Sequence, residues 1–221
     1  MNFIRKYWDL IFFPTAMIIL TAALHFSGIA KLSYLEFGAV MCAITGRMLL
    51  KRENPVGLFF GVVASIIFML YFLQVQLFGQ LVLAAVYVIL NGASIYSWLR
   101  PSADTGKIIR PTFLPRFWQV GIMLTVTIAA VIGATMRGTV GALDYFVMAT
   151  GIIGMMLLVR KKTDAWVSFT ASDIAGLALF WMSGSYLVLA TMFVYIYNDI
   201  AAFFRWHKIS RKTLLRDLKK L

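Results

Sequence analysis

All but two of the 21 lysine and arginine residues in this 221-residue chain fall into five clusters. Each interval between clusters holds two apolar stretches long enough to cross a bilayer. The clusters are Arg5 and Lys6; Arg47, Lys51 and Arg52; Arg100, Lys107, Arg110 and Arg116; Arg160, Lys161 and Lys162; and Arg205, Lys208, Arg211, Lys212, Arg216, Lys219 and Lys220. Lys31 and Arg137 stand apart. Basic loops are retained in the cytoplasm, so a cluster after every second span places both termini inside and requires an even number of crossings. Hydropathy and turn residues predict eight spans, at 10–29, 34–50, 55–76, 81–99, 117–136, 141–159, 165–182 and 185–205. Several are short for a bilayer, and Lys31, Arg47 and Arg52 are expected to snorkel to the interface.

The 61% hydrophobic and 14% charged residues are far from a soluble domain's composition, so the chain reads as an all-α, polytopic membrane protein. Its formal charge of +12 sits in short loops, where membrane orientation explains it without a nucleic-acid partner. Cys42 is the single cysteine, inside an apolar span, which leaves no disulfide framework and no metal-ligand spacing. No Walker-type glycine loop, no G-x-S-x-G and no His/Cys/carboxylate cluster is present, so the chain is read as neither an enzyme nor a cofactor binder. Without an ATP site, any transport runs down a gradient or couples to an ion. Arg5 and Lys6 before an apolar run resemble a signal peptide, but the run reaches Ala30 and is expected to remain as a helix.

A shift of 108 residues overlays Leu35-Glu36 on Leu143-Asp144, Gly46-x-Met48-Leu49-Leu50 on Gly154-x-Met156-Leu157-Leu158, Arg52 on Arg160 and Trp98 on Trp206. Leu81-Val82-Leu83-Ala84 matches Leu187-Val188-Leu189-Ala190 after a two-residue slip. The period covers four spans, so the copies run the same way through the membrane. This predicts a SWEET-like parallel 3+1+3 repeat whose substrate site lies between the halves near midplane. The expected organisation is an extra N-terminal transmembrane helix (1–33), a first three-helix bundle (34–99), a linker and inverting helix (100–140), a second bundle (141–206) and a basic cytoplasmic tail (207–221). The linker Arg100–Pro115 holds three prolines. The tail suits either a helix on the inner leaflet or a solvated charged segment.

The candidate site starts from Trp166, Phe169 and Asp173, at i, i+3 and i+7 of one apolar span. At about 1.5 Å per residue, Trp166 and Asp173 share a face roughly 10 Å apart, about the length of a nucleoside. An intramembrane carboxylate is a functional residue by default, because its charge must face a cavity or a partner. Asn91 and Asp199 precede Trp98 and Trp206 by the same seven residues, at a similar depth. Tyr87 lies one turn from Asn91, and Tyr195 and Tyr197 precede Asp199. Aromatic faces beside a carboxylate suit a flat, delocalised cation. Asn91 could equally bond only a neighbouring helix, and Asp199 could equally pair with Arg205 or a tyrosine. Glu36 and Asp144 read as first-turn acids favoured by their helix dipoles, and His25 as a wet interfacial residue.

At these residues the chain resembles the Pnu-type vitamin transporters over residues 35–208, in Arg160-Lys161-Lys162-x-Asp164-x-Trp166, Gly184-x-Tyr186 and Phe204-Arg205-Trp206. The family's W-x-x-W-x-x-x-N/D signature reads here Trp166-x-x-Phe169-x-x-x-Asp173. In the first half, Asn91-x-x-Ser94-x-Tyr96-x-Trp98 resembles its Q/N-x-x-G-W-Y-x-W ending, with Ser94 and Ile95 as departures. The resemblance implies a 3+1+3 bundle, often a homotrimer, in the bacterial inner membrane among lipid. It implies facilitated diffusion of a water-soluble vitamin, foremost nicotinamide riboside, with a cytoplasmic kinase trapping the product. Thiamine, deoxynucleosides and riboflavin are related substrates. A membrane-embedded enzyme or a structural subunit is the rival from another class, with the basic loops docking a partner.

Overall fold

The computed structural model describes the backbone of residues 3–28, 33–100 and 116–218, and the side chains of residues 8–28, 33–100, 121 and 124–211. The linker 101–115, Arg5, Lys6 and Lys31 lie outside the described side chains. Among the described residues seven helices form the fold: α1 (Phe3–Phe26), α2 (Tyr34–Lys51), α3 (Val56–Gln74), α4 (Phe78–Leu99), α5 (Arg116–Val159), α6 (Ala165–Met182) and α7 (Tyr186–Leu218). Six are long and apolar enough to cross a membrane; α2 carries Glu36, Arg47 and Lys51 within its 18 residues.

Helix α5 is where the element count departs from the expected eight. It reverses direction within itself, because Arg137 (φ −140°, ψ 22°) and Gly138 (φ 61°, ψ −142°) leave the helical region. Gly133 and Gly141 then meet backbone to backbone, and a Cβ on Gly133 would also stand 2.9 Å from the Tyr145 Cβ. In a straight helix residues 133 and 145 would be about 18 Å apart. The expected spans at 117–136 and 141–159 are thus two arms of one element. The inverse holds for α7, which continues past the predicted boundary at 207 to Leu218.

The turns recur at the sequence offset. After α2, Glu53 N–H donates to Leu50 C=O and Asn54 N–H to Leu49 C=O; after α5, Lys161 donates to Leu158 and Lys162 to Leu157. Glu53 (φ 58°) and Lys161 (φ 48°) are both left-handed. After α3, Val75 donates to Tyr71 and Leu77 to Phe72; after α6, Ser183 donates to Leu179 and Ser185 to Phe180. All four pairs are 108 positions apart, and Leu81→Leu77 and Leu189→Ser185 continue that register without the slip.

Helix starts are capped across the molecule in the same register. Asp144 on α5 accepts from Gly79 and Gln80 N–H at the start of α4 (2.9 and 3.1 Å), and Glu36 on α2 accepts from Val188 N–H at the start of α7 (3.2 Å). These acids therefore satisfy another helix's free N–H groups and not their own, a correction to the sequence reading. At the other end Trp98 Nε1 donates to Leu158 C=O and Trp206 Nε1 to Lys51 C=O, both at 3.3 Å. Helix α1 is held by Asp9, which pairs with Lys51 (2.7 Å) and with Arg52, by Phe13 against the Tyr197 ring (5.3 Å) and by Met17 in the core. Arg52 thus has a protein partner where snorkelling was expected.

Candidate functional site

Helix α6 exposes Val167, Ile174 and Trp181 and buries Trp166, Phe169, Ser172, Asp173, Gly176 and Phe180, a stripe at helical spacing. Around that stripe stand α2, α3, α4, α5 and α7, and between them lies a cavity of about 150 Å³. Its walls pair off at the 108-residue offset. Tyr87 faces it with Tyr195, Gly61 with Phe169, Ser65 with Asp173, and Arg47 with Met155. Small residues make the room: a Cβ on Gly61 would lie 2.9 Å from the Asn91 amide, and one on Gly154 would lie 2.6 Å from the Phe169 ring.

Arg47 occupies the middle. Its Nε donates to Asp199 Oδ1 (2.9 Å), and its Nη2 donates to both Asp199 Oδ2 (2.6 Å) and Asp173 Oδ2 (2.9 Å). The guanidinium carbon lies 4.2 Å from the centroid of Tyr195 and 4.9 Å from that of Phe169. A planar cation thus sits against two aromatic rings and two carboxyl groups, the surroundings that the sequence assigned to a ligand. The pairing also explains how two acids persist in apolar helices, since a buried charge without a partner costs several kcal/mol. Asn198 Nδ2 holds the strand of contacts from below by donating to the Arg47 carbonyl at 3.3 Å.

Six of the seven predicted residues line the cavity: Trp166, Phe169, Asp173, Asn91, Tyr87 and Tyr195. Asp199, with no exposed surface, stands behind them and touches Arg47. Its partner is neither Arg205 nor a tyrosine. The Tyr87 hydroxyl donates to Gly151 C=O at 3.2 Å, which ties α4 to α5. Asn91 has no side-chain hydrogen bond among the described residues, and neither does Trp166 Nε1, although the indole is fully buried between Phe169 and Trp206. Orphaned donors of this kind are rare, and a cavity-lining one is available to a ligand.

The residue missed from sequence is Arg47, assigned to a basic loop because Lys51 and Arg52 follow it. Two signals marked it. It lies one full turn inside α2 from Lys51, and it fills the variable position of the repeated Gly-x-Met-Leu-Leu, where the second copy has Met155. Among the described residues no cluster of His, Cys, Asp and Glu could hold a metal.

The family pattern described as nicotinamide mononucleotide transporter matches residues 33–208. The fold is similar to a crystal structure described as the vitamin B3 transporter PnuC, with a TM-score of 0.75 and 14% sequence identity, covering 96% of this chain and 94% of that one. At that identity the likeness concerns the fold.

Proposed function

This multi-pass membrane protein belongs to the nicotinamide mononucleotide transporter family, and on that premise we propose that it carries a water-soluble vitamin, foremost nicotinamide riboside, across the bacterial inner membrane. The observation that carries the reading is Asp173, a carboxylate at a cavity wall flanked by aromatic faces deep among apolar helices. A pyridinium ring is flat and carries a delocalised positive charge, so the Phe169 and Tyr195 rings suit its faces and Asp173 its charge. Asn91 and Trp166 Nε1, neither hydrogen-bonded among the described residues, suit the ribose hydroxyls and the carboxamide oxygen.

The proposed architecture has eight crossings arranged 3+1+3 plus α1, with both termini cytoplasmic and three copies to an assembly. The paired turns and caps at the 108-residue offset support the 3+1+3 arrangement. About 150 Å³ is less than the roughly 300–1,000 Å³ of sites that hold ligands of this size, so binding requires a wall to move. Rocking of residues 34–99 against 141–206 supplies that movement and opens the cavity to each side in turn. A separate kinase then traps the product inside.

Vesicles containing only the purified protein test the reading. Labelled nicotinamide riboside is expected to enter and to be competed by excess unlabelled compound more strongly than by thiamine or a deoxynucleoside. Asp173→Ala and Trp166→Ala are each expected to lower uptake at least about tenfold, the effect of losing one charged or two neutral contacts. Unchanged uptake in Asp173→Ala removes that residue from the site. Stronger competition by thiamine reassigns the substrate.

A further inference from the structure

The place that suits a flat cation is already held by one from the chain itself. In the trio of Arg47, Asp173 and Asp199, the guanidinium grips Asp199 with two short bonds, Nε to Oδ1 (2.9 Å) and Nη2 to Oδ2 (2.6 Å). Its hold on Asp173 is looser, Nη2 to Oδ2 at 2.9 Å and Nη1 to Oδ1 at 3.5 Å. The two acids differ in the same sense. The Asp199 side chain has no exposed surface and stands behind the cavity wall, whereas Asp173 is part of the wall and keeps 7% of its side chain exposed. The guanidinium also lies against Tyr195 and Phe169, the two rings that suit a pyridinium. Guanidinium and pyridinium are both flat and delocalised, so these rings and the Asp173 carboxylate serve either of them but not both at once. A carrier that works by diffusion has to cross back unloaded after each delivery. Once substrate has left, closing the walls over an unpaired Asp173 carboxylate among apolar side chains is costly. Among the described residues Arg47 is the one basic side chain at the cavity, and no other cation contacts either acid.

Resting on the substrate reading above, we propose that Arg47 is a tethered stand-in for the substrate's cationic ring: it holds Asp173 while the unloaded carrier reorients and gives it up when substrate binds, pivoting on Asp199. The incoming ring takes the Asp173 carboxylate and the faces of Phe169 and Tyr195. The two bonds from Nη1 and Nη2 to Asp173 break, and the pair from Nε and Nη2 to Asp199 stays. Release of substrate on the other side lets the guanidinium return. No proton and no second ion moves with the substrate, so transport follows the substrate's own gradient. The cavity of about 150 Å³ is the space beside Arg47, and withdrawal of the guanidinium enlarges it from within. The counterpart Met155 has no charge to offer, so this device belongs to one half of the repeat alone.

Two fluxes separate this role from packing. Net efflux of labelled nicotinamide riboside from proteoliposomes into substrate-free buffer needs the unloaded carrier to return, whereas exchange of labelled for unlabelled substrate at equal concentrations does not. Both are measured at equal pH, with potassium and valinomycin holding the potential at zero. In the unsubstituted protein the two rates are expected within about threefold of each other. In Arg47→Ala, reconstituted with substrate present, exchange is expected to survive and net efflux to fall at least about tenfold relative to it. Surviving exchange also shows that the variant folds and binds. Millimolar guanidinium ion in the outer buffer, small enough to take the vacated place, is expected to restore efflux in Arg47→Ala. Arg47→Lys keeps the charge without the planar fork, and its ratio of exchange to net efflux is expected to rise by about threefold only. If Arg47→Ala does not fold, as shown by no substrate-induced rise in its unfolding temperature, Arg47→Lys carries the comparison. An unraised ratio in a folded variant overturns the proposal and leaves the carrier reading intact. Exchange more than about tenfold faster than net efflux in the unsubstituted protein does the same, with no variant needed. Absence of both fluxes in the unsubstituted protein overturns the substrate reading and this proposal with it.

Discussion

The two walls of the cavity occupy the same positions of the repeat and have opposite chemistry. The wall from α6 and α7 carries Phe169, Asp173 and Tyr195, with Asp199 behind them; the matching positions on α3 and α4 are Gly61, Ser65, Tyr87 and Asn91. Only the tyrosines agree, and they act differently. Tyr195 lies against Arg47, whereas Tyr87 gives its hydroxyl to the Gly151 carbonyl. Arg47 then crosses from the neutral half to the charged one, where its counterpart Met155 stays apolar. Duplicated backbone makes the room, and departures from duplication decide what enters it.

The largest expected effect comes from erasing that asymmetry. Arg47→Met leaves two buried acids without a cation, and the usual loss for breaking a buried ion pair is about 3–5 kcal/mol. Thermal unfolding in detergent is expected to show it as a drop of many degrees. Adding Asp173→Ser and Asp199→Asn makes both halves neutral at these positions and leaves Gly61 opposite Phe169 as the remaining difference, and most of the lost stability is expected to return while substrate binding does not. If the triple variant remains as unstable as Arg47→Met, the trio's value lies in packing and not in charge.

How much of this was legible follows from the same contrast. Hydropathy sees windows, so the span at 165–182 coincides with α6, and 34–50 falls one residue short of α2. Helical spacing sees faces, so Trp166, Phe169 and Asp173 were placed together correctly on one stripe. What neither sees is a partner far along the chain. Arg47 and Asp199 are 152 residues apart, and Asp9 with Lys51 is 42 apart, so only the folded packing brings either pair together. The α5 reversal was read as a gap between spans, but its sharpness rests on Gly133 and Gly141 touching, which no local propensity encodes. The repeat was the strongest unused signal, since a charge standing opposite Met155 was visible before any helix was built.

The two turns between the second and third helices of each half give a smaller test. Gln76 (φ 57°) and Gly184 (φ 72°) are equivalent and both left-handed, and only one is a glycine. A Cβ at Gly184 would meet nothing within 4 Å, so any cost there is backbone strain alone. Gly184→Gln is expected to lose about 1 kcal/mol and Gln76→Gly to gain somewhat less than that, because glycine also frees the unfolded chain. Unfolding midpoints of the two variants, moved in opposite directions, would establish that the turns are energetically equivalent. Movement in the same direction would separate them, with the bond from Arg137 Nη1 to the Gln76 carbonyl (2.7 Å) as the distinguishing contact.

The smallest effect belongs to the other pair of turns, where equivalent residues carry opposite charge. Lys161 is 3% exposed, with its ammonium 4.5 Å from the Trp98 ring centroid, whereas Glu53 is half-buried. Burial holds the Lys161 ammonium below the ordinary lysine range, and the nearby Glu53 carboxylate draws it part of the way back. The unfolded chain therefore holds the proton more tightly than the folded one. Stability is expected to rise with pH from the folded value up to the ordinary lysine value near 10.4, and to carry the full penalty below that window. Lys161→Met should flatten this rise, and Glu53→Gln should start it at lower pH, both read as chemical unfolding free energy against pH. A rise that persists in Lys161→Met would place the titrating group elsewhere. A rise unmoved by Glu53→Gln would mean that the two turns share a backbone shape without sharing a field.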